Sequence, residues 1–224
     1  VERGQFVAIV GPSGCGKSTF LRLVAGLDTH TSGELLIDGV DPLESRRRRR
    51  DLAYVFQDAT LLPWRSVRRN VALPLELRRE MDEARIDAVL EMVGLSDFAD
   101  AQPAQLSGGM RMRVSIARAL ATNPGLLLLD EPFAALDEIT RQRLNEELLR
   151  LWERDHWTGI FITHNVYEAA FLADRVLVMS ARPGHIIADI PVPFAHPRDE
   201  DLRHQNAFAE LAREISQQLS QAHP

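Results

Sequence analysis

Apolar positions along the chain follow two rhythms. Short, nearly unbroken apolar runs occur at Phe6 to Val10, Leu52 to Phe56, Leu126 to Leu129, Gly159 to Thr163 and Val176 to Met179, rich in branched and aromatic side chains. Runs of that length predict buried strands. Elsewhere apolar residues recur at every third or fourth place, as in Phe20, Leu21, Leu23 and Val24, in the stretch from about Thr140 to Arg154, and from Leu202 to Leu219. That spacing predicts helices with one buried face. It also persists from Val67 to about Leu120, where Pro74, Gly94 and Pro103 read as breaks, so a mostly helical insert forming its own small lobe is expected there. Glu34 to Asp38, followed by Gly39, predicts a further strand and turn, and Ile186 to Val192 a short extended piece before a proline-rich stretch.

Strands alternating with helices predict an α/β fold with a mostly parallel sheet and right-handed crossovers. With 224 residues and a 45% hydrophobic fraction, the chain can bury one sizeable core. The expected organisation is a single domain in which residues 1–66 and 121–224 form a core lobe and residues 67–120 the helical lobe. No apolar run approaches the roughly 18 to 20 residues that cross a bilayer, so if the protein serves a membrane, other chains span it.

Charge narrows the picture further. A net charge of −6 argues against a general nucleic-acid binder, which gathers Lys and Arg on one face. The run Arg46 to Arg50 is the exception, and its place between predicted strands favours a solvated loop. The single cysteine, Cys15, cannot form an internal disulfide, and no secretory leader is seen ahead of the first motif, so a reducing, cytoplasmic setting is expected. Of the 26 basic residues, Lys17 alone is lysine. A composition biased so strongly to arginine has kept one compact ammonium where a planar fork would fit poorly.

That lysine lies in Gly11-Pro12-Ser13-Gly14-Cys15-Gly16-Lys17-Ser18, between a predicted strand and a predicted helix. The pattern GxxxxGK[ST] in this context is a phosphate-binding loop: glycines let successive N–H groups turn inward, and the following helix adds its positive end. Lys17 would bridge β- and γ-phosphates, and the Ser18 hydroxyl would ligate Mg²⁺, with Thr19 next in line. Cys15 reads as a tolerated small side chain in this loop. A second signal is the apolar run Leu126 to Leu129 ending in Asp130 and Glu131. The first acid can hold Mg²⁺ and the second can orient or deprotonate an attacking water.

The segment Leu106-Ser107-Gly108-Gly109-Met110 precedes a helical stretch, and with it the chain resembles the ATP-binding-cassette (ABC) ATPases, whose signature is LSGGQ; Met110 departs from the final Gln. Gln57 then matches the Q-loop, Ala134-Ala-Leu-Asp137 resembles the D-loop, and Ile162-Thr-His164 matches the switch histidine. The resemblance implies an ABC-type P-loop NTPase with ATP and Mg²⁺ as cofactors. It implies that Ser107, Gly108 and Gly109 meet the γ-phosphate held by a second copy, making a homodimer or pseudo-dimer across ATP. It assigns Glu131 as catalytic base, His164 as γ-phosphate sensor, and Gln57 as a contact to Mg²⁺ and water, with Ser18 and Asp130 completing the metal set.

Leu61-Leu-Pro-Trp64-Arg65, with LSGGMR and DEPFAALD, looks like the nitrate, sulfonate and taurine importer ATPases. This implies a transport motor at the cytoplasmic face of the inner membrane. Permease subunits would dock near Gln57 to Arg65, with a solute-binding protein acting indirectly. In the family, further strands and an adenine-stacking aromatic precede the glycine loop, and this chain has only ten residues ahead of Gly11; an incomplete N-terminal antiparallel region is therefore expected. A soluble, non-transport ABC ATPase or a truncated, inactive regulator are the alternative readings.

Overall fold

The computed structural model describes residues 1–48 and 52–222. The strands are β1 (Phe6–Val10), β2 (Leu52–Val55), β3 (Leu126–Asp130), β4 (Thr158–Ile162), β5 (Arg175–Met179) and β6 (Ile186–Pro191). The helices are α1 (Lys17–Val24), α2 (Pro42–Arg48), α3 (Val67–Arg78), α4 (Glu83–Met92), α5 (Gly108–Ala121), α6 (Glu138–Asp155), α7 (Val166–Leu172) and α8 (Asn206–Gln221). The described strands make one six-stranded sheet in the order β2-β3-β4-β1-β5-β6. Every pairing is parallel except that of β5 with β6.

All five residues of β1 are buried, as a strand covered on both faces requires. Phe6, Ala8 and Val10 join a cluster with residues of α3, α5, α6, α7 and α8. Ile9 points to the other face, where it meets Leu21 and Val24 of α1. The period of two along the strand thus sorts helices to opposite sides of the sheet. Because β1 leads across to edge strand β2, whereas β4 leads to β5 on the far side of β1, the strand order reverses at β1. In open parallel sheets the crevice beyond the carboxyl ends at such a reversal is where ligands bind.

Three expectations need correction, and one helix is additional. Glu34 to Asp38 forms no strand among the described residues; its antiparallel pairing is limited to the bridge Ile37–Val40. Leu35 and Ile37 rest on the α1-side cluster, so their hydrophobicity reports packing rather than ladder formation. Pro74 does not break a helix, for α3 runs through it, carried by the buried residues Val67, Val71, Ala72 and Leu75. The arginine run is helical as far as Arg48 rather than a loop, and the rest of it lies outside the described residues. Asp41-Pro42 carried that signal, since the Asp41 carboxylate accepts from the Leu43 N–H and proline suits a first helical turn. Finally, α7 was not foreseen: Glu168 to Leu172 are all buried, which leaves no polar face to mark a period.

Gly94 does end α4, at φ +65°, with Gly94 N–H bonding Glu91 O and Leu95 N–H bonding Leu90 O. Helices α3 and α4 pack on α5, and α5 reaches β2. At the other end, Phe208, Leu211 and Ile215 bury one face of α8 against α7 and β5. No described helix is long and apolar enough to cross a membrane.

Candidate active site

The register places most of the predicted chemistry along one edge. Val55 pairs with Leu129, and Ile9 with Ile162, so Gln57, Glu131, Gly11 and His164 each follow the carboxyl end of a sheet strand. Beyond β1, Gly14 and Gly16 take φ of +73° and +110°, conformations open to glycine. They curl the loop so that Gly16 caps α1. A side chain at Gly11 would sit 3.0 Å from Met179, which explains the glycine at this close approach. Lys17 is buried, and its ammonium donates to Gly11 O at 2.9 Å and Pro12 O at 3.0 Å. Ser13, Gly14, Ser18 and Thr19 are exposed around it, while Cys15 is buried among Ile9, Leu21 and Met179.

Ser18 Oγ donates to Asp130 Oδ1 at 2.9 Å, joining the glycine loop to the end of β3. The other Asp130 oxygen accepts from the Tyr54 hydroxyl at 3.0 Å. Burial, together with the Asp130 charge, pushes the Tyr54 phenol well above its ordinary range, so it remains a donor. The sequence alone marks Tyr54 only as a strand residue. A hydroxyl on β2 facing a carboxylate on β3 becomes visible once Tyr54 is registered with Leu128.

Glu131 has φ +47°, an unusual conformation for a side-chain-bearing residue, and strain of this kind gathers at functional positions. Its N–H bonds Ile162 O, and its carbonyl accepts from Ala134 N–H, so a tight turn fixes where the carboxylate points. His164 Nδ1 lies 3.5 Å from Glu131 Oε2, with the imidazole more than half exposed. Asp137 caps α6 by accepting from Thr140 N–H at 2.9 Å, and this bond holds its carboxyl below the usual range.

Ser107 caps α5, its Oγ accepting from Met110 N–H at 3.2 Å. Ser107 and Gly108 are exposed, and Gly109 backs on Leu136: a Cβ there would fall 2.6 Å from Leu136 Cδ2. The signature segment thus packs against the turn that follows Glu131. Met110 supplies a backbone N–H and packs on the core, so the departure from Gln leaves the helix cap intact.

Gln57 is exposed in the loop after β2. Sequence reasoning missed what holds that loop. Arg118, near the end of α5, donates to Ala59 O at 3.0 Å and Thr60 O at 3.1 Å, tying signature helix and Gln57 loop together. Burial draws its guanidinium below the usual range. The buried Asn70 then staples the next stretch, accepting from Leu62 N–H and donating to the carbonyls of Leu62, Arg65 and Ser66. Trp64 stands 73% exposed on this stapled loop, rather than tucked against the core.

A glycine loop tied to a strand-end acid, with a glutamate, a histidine and a separate helix-capping SGG segment, is the arrangement of a cassette ATPase. The family model described as ABC transporter matches residues 1–134. The chain belongs to the ABC transporter family. This ABC ATPase is 48% identical over 202 residues to an uncharacterised ABC transporter ATP-binding protein of Methanocaldococcus jannaschii, covering 89% of this chain and 74% of that one. It is 41% identical over 219 residues to the aliphatic sulfonates import ATP-binding protein SsuB of Bacillus cereus, covering 98% of this chain and 85% of that one. Among solved structures, a dimeric post-hydrolysis state of the ATP-binding cassette MJ0796, bound to ADP and Pi, matches with a TM-score of 0.78 at 35% identity, covering 87% of this chain and 88% of that one.

Proposed function

We propose that this ABC ATPase is the motor of an importer for a small oxyanion-type solute, of the nitrate, sulfonate or taurine class, driven by closure of two copies around ATP. The observation that carries the solute class is the likeness, along nearly the whole chain, to a sulfonate-import ATPase. The exposed Trp64, on a loop fixed by Asn70 and continuous with Gln57, supports a docking surface for membrane permease subunits at Gln57 to Arg65. The working location is then the cytoplasmic face of the inner membrane, with a solute-binding protein on the opposite side delivering cargo. Residues 67–120 act in this reading as a helical lobe that carries the signature segment toward the other copy.

Within the site, the N–H groups from Gly14 to Thr19 and the Lys17 ammonium hold the phosphates, with Pro12 and Cys15 shaping the turn. Two of the three ammonium hydrogens lie on loop carbonyls, which aims the third. Glu131 takes the proton of the attacking water, and His164 steadies the charge that develops on the γ-phosphate. Ser107, Gly108 and Gly109 of one copy complete the anion site of the other through a helix N-terminus. The Ser18 hydroxyl, the Asp130 carboxylate and the Gln57 amide oxygen are hard oxygen donors of the kind Mg²⁺ takes. Bound there, Mg²⁺ would neutralise phosphate charge.

Proteoliposomes in which this chain is assembled with its membrane permease subunits test the reading. ATP hydrolysis should rise when the matching solute-binding protein is added loaded with a sulfonate, nitrate or taurine. A complex stimulated by none of these, but by a solute of other chemistry, overturns the proposed class.

A further inference from the structure

Glu168 is a carboxylate 5% exposed in the first turn of α7, a position where a charge has to be met by specific partners. Its Oε2 accepts a hydrogen bond from the Thr163 hydroxyl, and Thr163 is 2% exposed. The same Thr163 oxygen accepts from Asn165 N–H at 3.0 Å. His164 is the residue enclosed by that turn. Asn165 is fixed from the far side too, its Oδ1 accepting from Tyr167 N–H at 2.9 Å and Glu168 N–H at 3.3 Å. On its other oxygen Glu168 faces Arg141 Nε at 3.7 Å, and Arg141 also pairs with Glu138 at the start of α6.

We propose that Glu168 is a positioning residue for His164: by accepting the Thr163 hydrogen it turns that hydroxyl's lone pair onto Asn165 N–H. This locks the turn that presents the imidazole beside Glu131, and through Arg141 it ties the turn to the helix capped by Asp137. A hydroxyl donates one hydrogen, so once Glu168 has claimed it the oxygen can only accept from Asn165. Without Glu168 the hydroxyl is free to rotate, and the turn loses its fixed geometry. Burial pushes the Glu168 carboxyl above its usual range, opposed by the Thr163 bond, by Arg141 and by His164. Glu138 is the other acid facing it. The inference rests on the role proposed for His164 in hydrolysis.

The test is a double-mutant cycle on ATP turnover, using Glu168→Ala, Glu168→Gln, His164→Ala and the Glu168→Ala/His164→Ala pair. Glu168→Ala should lower kcat on the order of ten-fold, as a displaced catalytic group does. KM for ATP should change less than about two-fold, because the phosphate loop is untouched. Glu168→Gln keeps an acceptor for Thr163 and should recover most of the rate. In the His164→Ala background, Glu168→Ala should cost nothing more. If Glu168→Ala does not fold, Thr163→Val removes the same hydroxyl and must show the same pattern. A slow His164→Ala whose rate falls again by the same factor in the pair overturns this inference alone. A His164→Ala enzyme at the native rate removes the role of His164, and this inference with it.

Discussion

The glycine loop and the Ser107 segment both form helix N-termini, but they are held in opposite ways. At the first, Gly16 caps α1 with its backbone alone, Lys17 is buried on the loop's own carbonyls, and Ser18 is tied to Asp130. Behind the loop stands the β5–β6 connection, with Arg182 Nε donating to Gly14 O at 2.7 Å and Gly184 pressed against Cys15. At the second, the Ser107 oxygen serves its own helix and Gly108 is open to solvent, with Leu136 the support behind Gly109. One site lies in the crevice where strand order reverses, next to the carboxylate and the imidazole. The other faces outward on the helical side. Under the proposed function this contrast corresponds to chemistry in one half-site and recognition in the other, each copy completing its neighbour.

Substitutions on either side sharpen or break that contrast. The largest effect belongs to Glu131→Gln, which keeps shape and removes the proposed base: ATP turnover should fall about 10³-fold, within the range for loss of a general base, with nucleotide binding retained. Turnover near the native rate would shift the base elsewhere. Next comes Ser107→Arg. Placing a large cation at the α5 cap should cut hydrolysis on the order of a hundred-fold while each single copy binds nucleotide as before; equal loss of binding would show that the segment serves its own chain. For Gly184→Ala the new Cβ would lie 2.1 Å from Cys15 O, so backbone must move. Affinity for ATP, measured by fluorescent-nucleotide titration, should drop about ten-fold, whereas contacts at the signature are unchanged. The smallest change is Gly109→Ala. It meets only the flexible end of Leu136, so overpacking should cost about 1 kcal/mol of stability, read by thermal unfolding, and a few-fold in rate.

The parts that could be read in advance were those written locally. A continuous apolar run names β1 and β3, and a glycine loop between strand and helix names itself, as do the acid pair 130–131 and His164. What escaped notice needed the register or a distant partner. Tyr54 meets Asp130 because β2 lies beside β3. Arg118 reaches residues on the Gln57 loop, far away along the chain. Gly184 matters because a hairpin closes onto the phosphate loop, and no local spacing encodes that approach. Helix α7 was missed for the opposite reason: burial on nearly all sides erased its period. Glu34 to Asp38 imitates a strand because its partly buried apolar residues pack on α1, while its antiparallel pairing is limited to Ile37 and Val40.

Under the proposed function, ATP joins two copies of this chain through unlike half-sites. Light scattering of the Glu131→Gln protein, with and without ATP and Mg²⁺, tests it most directly, because blocked hydrolysis should trap the closed pair and ligand binding should favour it by mass action. The expected result is a shift from monomer to dimer on adding ATP, abolished by Ser107→Arg. A protein that binds ATP and remains monomeric would contradict it.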